Sequence, residues 1–285
     1  MRVAILNRPR EWWPGGDLVE IDNRIAALAK LGVECEYEPS TLAGFDIAHV
    51  FHCNFRWATE RMKRAISAGL PFVLTPLFYP GEIDHHAHAL LRQAFRVLPF
   101  SEREAGELVC EAGQLSISVI PNGTSEAFHA EPGPDRAGVC AVIARADNPK
   151  NSGLIEYACK LAGLPYEQIC GVPQADMPAV YRRFRIFAIA SSSERMSLTV
   201  GEALCSGCRV FSTTQNRGNE WYGPGLRTID PGMKPETLAW LLACAYDAPW
   251  WDWTPNVAAR LLTWDRCAVS QLAVYEEAIR CHASR

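Results

Sequence analysis

Short apolar, β-branched runs alternate with amphipathic stretches along the first part of the chain. Residues 2–6 predict a buried strand, and residues 17–31 predict a helix whose apolar side chains recur every three to four positions. Further strands are predicted at 33–37, 46–51, 71–75, 96–100 and 116–120, and further helices at 59–68, 84–93 and 102–112. This alternation is typical of a parallel sheet covered by helices, which binds ligands at the carboxyl ends of its strands.

The alternation stops at Pro121-Asn122-Gly123 and resumes after a Pro/Gly-rich segment at 131–138. The second series predicts strands at 139–144, 167–171, 185–190 and 208–212, and helices at 153–162, at 198–206 and after Pro235. We therefore expect an α/β protein with two Rossmann-like domains, the first at 1–130 and the second at 131–264. Two such domains in succession leave a cleft between them.

Composition narrows the class of protein further. The 285 residues are 48% hydrophobic and 21% charged, enough to bury two cores. A formal net charge of −4 argues against a generally basic surface for nucleic acid or anionic membrane. No signal peptide and no stretch able to span a membrane is recognisable, and the eleven cysteines are typical of buried free thiols, so we expect a cytoplasmic protein.

Two carboxylates, Glu194 and Glu202, carry the strongest chemical signal. Glu194 is expected in a strand-to-helix loop, and Glu202 about two turns into the following helix, roughly 12 Å away at 1.5 Å rise per residue. That is about the distance from the hexose of a nucleotide sugar to its ribose. The helix start near Ser197 and Leu198 is expected to present unpaired backbone N–H groups, which favour an anionic diphosphate.

Two cations, Arg145 and Lys150, lie at a strand end just before another predicted helix and could together clamp a diphosphate. In a metal-free site, such cations stabilise the charge that grows on a leaving phosphate. The sequence contains no Asp-x-Asp triplet to hold a metal. We therefore expect no metal ion and no cofactor, with a nucleotide-diphosphate sugar as co-substrate.

Taken together, these segments resemble glycosyltransferase family 4, the retaining group with the GT-B fold. The matching pieces, which have the family's order and spacing, are Gly15-Gly16-Asp17, Val119 to Gly123 with Phe128, Arg145 with Lys150, Glu194 with Glu202, Trp264-Asp265-Arg266 and Val274 to Glu277. The resemblance extends over nearly the whole chain. It implies two Rossmann-like domains that face each other across a cleft, and a C-terminal helix at 265–285 that returns toward the N-terminal domain.

The resemblance also implies metal-independent transfer of a hexosyl sugar to a hydroxyl acceptor, with retention and with a UDP-sugar as the favoured donor. Glu194, Lys150 and Arg145 are the implied catalytic residues. Glu194 would contact the donor sugar, Glu202 the ribose hydroxyls, and the Gly171-Val172 backbone the nucleobase. The full set of implied donor-binding residues is Gly15, Gly16, Arg145, Lys150, Gly171, Val172, Glu194, Ser197, Leu198, Thr199 and Glu202.

The sequence departs from the family pattern in several places. Arg195 and Ser197 stand where glycines are common, and Arg209 stands where a proline is usual. The histidine that many members place after an N-domain strand is absent, and residues 75–79 stand there instead. Candidate residues on the acceptor side are Trp12, Trp13, Phe78, Tyr79 and His85.

The acceptor itself is not specified by the sequence. A carbohydrate or small molecule is favoured, and a modified DNA base is an alternative. A basic cluster on a predicted helix would suit an anionic acceptor, although a solvated helix face explains it as well: Arg56, Arg61, Lys63 and Arg64.

Two further functions stay open, a non-catalytic module that binds sugar nucleotides and a dinucleotide-dependent oxidoreductase. The oxidoreductase is weakened by the lack of a Gly-x-Gly-x-x-Gly motif, and the oligomeric state is not predicted.

Overall fold

The chain folds into two compact α/β units. The structure, a computed structural model, describes residues 1–12, 15–83, 86–131, 133–143, 150–223, 226–249 and 257–284. One unit comprises residues 1–121 together with 264–285, and the other comprises 122–263. Residues 122–130, expected in the first domain, therefore belong by their contacts to the second unit.

The first unit is built on a five-stranded parallel sheet with the order β2-β1-β3-β4-β5. Its strands are β1 (Arg2–Leu6), β2 (Glu34–Tyr37), β3 (Ile47–Phe51), β4 (Phe72–Thr75) and β5 (Arg96–Val97). Its helices are α1 (Gly16–Lys30), α2 (Arg56–Ser67), α3 (Ala87–Leu91), α4 (Glu102–Ala112) and, at the end of the chain, α10 (Trp264–Ala283). The central strand β3 is buried along its whole length, as the apolar run 47–51 predicts for a strand covered on both faces.

Helix α10 packs against α1 and β3 through a buried polar network. Arg24 of α1 forms a buried ion pair with Glu20 (Nε to Oε1, 2.9 Å) and donates to the Gln271 amide oxygen at 2.7 Å. His49 of β3 lies 2.7 Å from the Tyr275 hydroxyl. These contacts confirm that the C-terminal helix returns to the N-terminal unit.

The second unit contains another five-stranded parallel sheet, with the order β10-β9-β8-β6-β7. Its strands are β6 (Val139–Ile143), β7 (Tyr166–Cys170), β8 (Ile186–Ala188), β9 (Arg209–Thr213) and β10 (Leu226–Ile229). Its helices are α5 (Ser152–Ala162), α6 (Met177–Tyr181), α7 (Leu198–Cys205), α8 (Pro235–Asp247) and α9 (Val257–Leu261). Two short 3₁₀ turns, Glu126–Phe128 and Arg217–Trp221, complete the described part of this unit.

The predicted strand at 116–120 forms only a short pairing with β5. The Val97 amide donates to the Ser116 carbonyl at 2.8 Å, and the Ser118 amide donates to the Val97 carbonyl at 3.0 Å. The Ile120 amide also donates to the Pro99 carbonyl at 2.9 Å. Pro99 has no N–H group, so the ladder is interrupted at this residue. In the second unit, β10 was not predicted, because its sequence LRTI has exposed polar positions and little apolar periodicity.

The eleven cysteines are free thiols, as expected, but Cys110, Cys170, Cys244 and Cys281 are exposed rather than buried. None of the described helices combines the length and apolar character that a bilayer crossing requires.

Candidate functional site

An ion pair lies at the carboxyl edge of the second sheet. Lys150 Nζ lies 2.6 Å from Glu194 Oε1, and the side chains keep 24% and 12% of their surface exposed. Lys150 precedes α5, beyond the end of β6, and Glu194 lies in the loop between β8 and α7. Because β6 and β8 are adjacent parallel strands, the loops that follow them meet at one edge. The structure therefore brings two of the predicted catalytic residues together.

The backbone of the Glu194 loop is held by a buried cation that the sequence did not indicate. The Arg217 guanidinium donates through Nη1 to the Glu194 carbonyl at 3.1 Å, and the Arg217 amide donates to the same carbonyl at 3.2 Å. The Glu194 amide donates to the Gln215 carbonyl at 3.2 Å. These hydrogen bonds fix the Glu194 backbone, and the Glu194 carboxylate pairs with Lys150.

Helix α7 begins at the predicted residue, but Glu202 lies closer to the start of the helix than expected. Ser197 has an extended backbone (φ −65°, ψ 118°), so the helix begins at Leu198. Glu202 is therefore about one turn into the helix, and the expected two turns and 12 Å of helical rise are wrong. The Ser197 amide is not open to a phosphate either, because it donates to Asn216 Oδ1 at 3.3 Å. Its hydroxyl lies 2.9 Å from the Thr199 hydroxyl.

Glu202 is buried and accepts hydrogen bonds from two side chains that the sequence analysis missed. Gln174 donates to Oε1 at 2.6 Å, and the Tyr181 hydroxyl donates to Oε2 at 3.1 Å. Burial raises the pKa of Glu202, and the hydrogen bonds from Gln174 and Tyr181 work against that rise. A carboxylate has about four lone-pair sites, so each oxygen keeps room for another donor such as a ribose hydroxyl.

Gln174 also connects Glu202 with the segment expected to meet the nucleobase. Gly171 has φ +69°, a left-handed conformation that favours glycine, and it turns the chain at the end of β7. Val172 is half-buried just beyond it. The Gln174 bond therefore joins the loop after β7 to the carboxylate on α7.

The segment after Pro121 contacts the Glu194 loop and the Tyr181 ring. The Asn122 amide nitrogen Nδ2 donates to the Met196 carbonyl at 3.4 Å, next to the Glu194 loop. Phe128 packs edge-on against Tyr181, with 6.0 Å between the ring centroids. The residues that carried the family resemblance at the domain junction therefore hold the Glu194 loop and the Tyr181 ring in place.

In the first unit, the loop after β1 is closed by a second ion pair. Arg8 contacts both carboxylate oxygens of Asp17, through Nε at 3.0 Å and Nη2 at 2.9 Å. A Cβ at Gly15 would lie 2.3 Å from Asp17 Oδ1, so the pair requires a glycine there. A Cβ at Gly16 would meet nothing within 4 Å. Burial alone would raise the pKa of Asp17, but hydrogen bonds from His52 and Arg8 outweigh it and hold the pKa well below its ordinary value.

The acceptor-side candidates fall into three groups. Phe78 is fully buried in the first core, so its ring has no surface to offer an acceptor, and its selection was wrong. Tyr79 is half-buried, and Trp12 is 49% exposed. Trp13 and His85 lie outside the described residues, as does Arg145.

The missed residues left little signal in the sequence. Arg217 binds mainly backbone carbonyls, which any sequence provides, and Gln174 lies in an exposed loop. Tyr181 ends a helix of five residues, too short for a periodic pattern. In the described part of the chain, no group of three His, Cys, Asp or Glu side chains is arranged to hold a metal ion.

No protein-family model and no curated protein matches this sequence. Solved structures match it over nearly its whole length. A sucrose-phosphate synthase from Thermosynechococcus elongatus has a TM-score of 0.82 at 12% identity, covering 98% of this chain and 99% of its own. A glycosyltransferase from Rickettsia africae has a TM-score of 0.72 at 13% identity, with 98% of each chain covered.

A third structure, HepE from Anabaena in complex with UDP and glucose, has a TM-score of 0.69 at 14% identity and covers 100% of both chains. With these likenesses and the two parallel sheets, the fold is settled. The chain has the GT-B fold. At such low identity the likeness concerns the fold, and the chemistry of this chain depends on its own residues.

Proposed function

We propose that this protein is a glycosyltransferase that moves a hexosyl sugar from a nucleotide-diphosphate sugar, a UDP-sugar in the first instance, to a hydroxyl acceptor. The Lys150–Glu194 pair supports this most directly. It places one cation and one carboxylate, both partly exposed, at the carboxyl edge of a parallel sheet, where ligands bind in α/β folds. The fold of the solved glycosyltransferases agrees with it.

The second support is a set of polar groups beside α7. Glu202, Gln174 and the turn at Gly171 form a polar set that fits ribose hydroxyls and the edge of a base. The bound UDP in the HepE structure shows that a protein of this fold holds such a nucleotide. A donor on this unit would span from Glu202 to Lys150.

The proposed chemistry retains the anomeric configuration and needs no metal. The bond between the anomeric carbon and the phosphate oxygen breaks, and the acceptor oxygen bonds to the same carbon from the same face. The acceptor's proton passes to the leaving phosphate. Lys150 stabilises the negative charge that this phosphate gains, a type of contact whose loss costs about 100- to 1000-fold in rate. Glu194 holds the Lys150 ammonium in place and contacts the sugar.

Thermal unfolding in the presence of UDP, GDP, ADP and NAD tests the donor class. A ligand at 100 times its dissociation constant adds about 2.7 kcal/mol to the free energy of unfolding. We expect UDP to raise the melting temperature by several degrees and NAD to leave it unchanged. Stabilisation by NAD alone would favour the oxidoreductase over the transferase.

Incubation with UDP-[¹⁴C]glucose and related donors, followed by NMR of the product, tests transfer and stereochemistry. An α-linked product from an α-linked donor is expected, and a β-linked product would contradict retention.

The charge of Lys150 is already balanced by Glu194, which gives one reason to keep a non-catalytic binding module as a second candidate. UDP binding without release of labelled sugar from any donor, even with added acceptors, would favour that module.

A further inference from the structure

An exposed aromatic cluster lies at the carboxyl edge of the first sheet. Phe55 and Trp57 stack with 5.5 Å between ring centroids and 11° between ring planes, and Trp12 meets Trp57 edge-on at 6.5 Å. Trp12 is 49% exposed and Phe55 40% exposed, while Trp57 is half-buried. We call Trp12, Phe55 and Trp57 the aromatic platform. It presents flat apolar faces where parallel sheets bind ligands.

The loop that carries Trp12 is held by fixed contacts. Besides the Arg8–Asp17 pair, Arg10 contacts both oxygens of Asp22 at 3.0 and 2.5 Å. The Tyr37 hydroxyl donates to the Arg8 carbonyl at 2.5 Å. These contacts fix Arg8 and Arg10, which precede Trp12 closely in sequence, and so reduce the entropy cost of binding a ligand against Trp12.

Polar groups border the aromatic platform. His52 packs edge-on against Trp57, with 5.1 Å between ring centroids, and its Nε2 lies 3.5 Å from Asp17 Oδ2. Its backbone is left-handed (φ +70°), which costs energy in a non-glycine residue and occurs often at binding sites. Two residues further along the chain, Asn54 Nδ2 is buried with no hydrogen-bond partner among the described residues, as is Asn7 Oδ1.

Buried polar atoms without partners are uncommon, and a bound water or ligand usually explains them. One of these atoms is a donor and the other an acceptor, and both belong to the loops that form the platform. A hydroxyl can donate and accept at once. A ligand rich in hydroxyls therefore matches this border better than one that only donates or only accepts.

Three of the four cations of helix α2 are paired with carboxylates, which favours a neutral ligand over an anionic one. Arg61 and Arg64 of α2 pair with Glu38 at 2.8 and 3.7 Å, and Lys63 pairs with Glu60 at 3.0 Å. These cations formed most of the basic cluster that suggested an anionic acceptor. A site for single-stranded nucleic acid combines stacking aromatics with cations along the phosphate backbone, whereas these cations already have carboxylate partners.

We propose that the aromatic platform binds a pyranose ring of a neutral carbohydrate acceptor. The ring's C–H face would pack on the exposed face of Phe55, with the Trp12 ring standing roughly at right angles beside it, and its hydroxyls would meet the polar border at His52 and Asn54. This combination of apolar faces and a few polar groups is what small-ligand sites share. The role as acceptor site depends on the proposed transferase function, but carbohydrate binding at the platform can be tested separately.

Saturation-transfer NMR titrations with methyl α-D-glucopyranoside, maltotriose and cellotriose test the proposal on the full chain. Phe55→Ala and Trp57→Ala are the test variants, and Trp240→Ala is the matched control, since Trp240 is 65% exposed on α8 of the other unit. We expect at least one saccharide to bind the wild type and Trp240→Ala equally, and at least tenfold more weakly to both test variants. Phe55 is more exposed than Trp57, so Phe55→Ala keeps the test valid if Trp57→Ala misfolds.

UDP binding, measured in parallel, separates this proposal from the proposed function. If UDP binds but no saccharide does, or if both test variants bind saccharides like the wild type, the platform proposal fails and the transferase stands. If saccharides bind at the platform but no nucleotide binds, the platform stands and the transferase fails. If a dT12 oligonucleotide binds the platform and the saccharides do not, nucleic acid replaces carbohydrate as the ligand.

Discussion

At the level of single residues, the second unit balances its charges locally. Lys150 and Glu194 neutralise each other at 2.6 Å, and Glu202 accepts from Gln174 and Tyr181. A donor diphosphate would give Lys150 a second anionic partner, so binding must share or rearrange this ion pair. The Lys150–Glu194 pair therefore fixes the position of the Lys150 ammonium. It also affects the free energy of binding a phosphate there.

Substitution of Lys150 tests its proposed role in the reaction. Lys150→Ala removes the cation that stabilises the leaving phosphate, and we expect turnover to fall at least about 100-fold. Lys160→Ala is the control, because Lys160 is exposed in the last turn of α5, the helix that follows Lys150. Initial rates of UDP release and circular dichroism measure activity and folding. Wild-type turnover in folded Lys150→Ala would remove Lys150 from the mechanism.

Tyr181 is expected to act on donor binding through Glu202. Tyr181→Phe deletes one hydrogen bond to the carboxylate, which is worth about 0.5–1.5 kcal/mol. Because that bond lowers the pKa of Glu202, its loss leaves burial to raise the pKa further. We expect the dissociation constant for UDP, measured by calorimetry, to rise about 3- to 10-fold. Tyr157→Phe, at a 50% exposed position on α5, should bind UDP normally; equal affinity in both variants would contradict the assignment.

At the level of elements, the Glu194 loop and α7 are positioned by close backbone approaches. A Cβ at Gly201 of α7 would lie 2.8 Å from the Thr124 hydroxyl oxygen and 3.0 Å from the Tyr222 hydroxyl. A Cβ at Gly218 would lie 2.4 Å from Met196 Cγ and 3.0 Å from its Cα. Since Met196 follows the Glu194 loop directly, Gly218 sets how close this loop lies to the 3₁₀ turn at Arg217–Trp221.

Gly218→Ala should therefore displace the Glu194 loop. A contact of 3.0 Å to a backbone atom cannot be relieved by a side-chain rotation, and overpacking of this kind costs about 1–3 kcal/mol. We expect a lower urea midpoint and reduced activity. Gly153→Ala is the opposite case, because a Cβ there meets nothing within 4 Å and alanine favours the helix. It should leave activity unchanged and match or exceed wild-type stability; similar urea curves for both variants would contradict this account.

Sequence periodicity predicted the helices and strands better than it predicted the contacts between side chains. Strand β1 and helix α4 have the predicted bounds, because both have clear apolar patterns and α4 has a serine N-cap at Ser101. Glu194, Lys150 and Glu202 were selected as candidates from residue type and spacing. The partners of these residues were not, because Arg217, Gln174 and Tyr181 come from other loops and helices, and pairing across the fold leaves no local pattern.

At the level of the whole molecule, α10 covers ionisable groups of the first unit that are otherwise unusual in a core. Glu20, Arg24 and His49 are buried between α1, β3 and α10. Burial lowers the pKa of His49 well below its ordinary value, so His49 is neutral in the folded chain. The buried network therefore makes the stability of the first unit depend on pH.

Because of Glu20, the free energy of unfolding falls rather than rises as the pH increases. Burial raises the pKa of Glu20 from 4.5 to about 7, although Arg24 works in the opposite direction. The folded chain thus holds this proton where the unfolded chain has lost it. The stabilisation from this group is complete below about pH 4.5 and is lost as the pH rises through about 7.

Urea unfolding of the wild type and of Glu20→Gln at pH 5, 6, 7 and 8 measures the effect. Relative to the variant, the wild type should lose about 1–3 kcal/mol of unfolding free energy between pH 5 and pH 8, at about 1.4 kcal/mol per pKa unit. Glu107→Gln, on the exposed Arg103–Glu107 pair of α4, should follow the wild-type profile. Parallel profiles for Glu20→Gln and the wild type would contradict the raised pKa.

The division of the chain also has a consequence for its synthesis on the ribosome. The second unit, residues 122–263, is inserted between two segments of the first. When it has emerged completely, the nascent first unit still lacks α10, the helix that supplies Gln271 to Arg24 and Tyr275 to His49. We therefore expect the later-translated unit to fold first, and residues 1–121 to keep an uncovered, chaperone-accessible face until α10 has emerged.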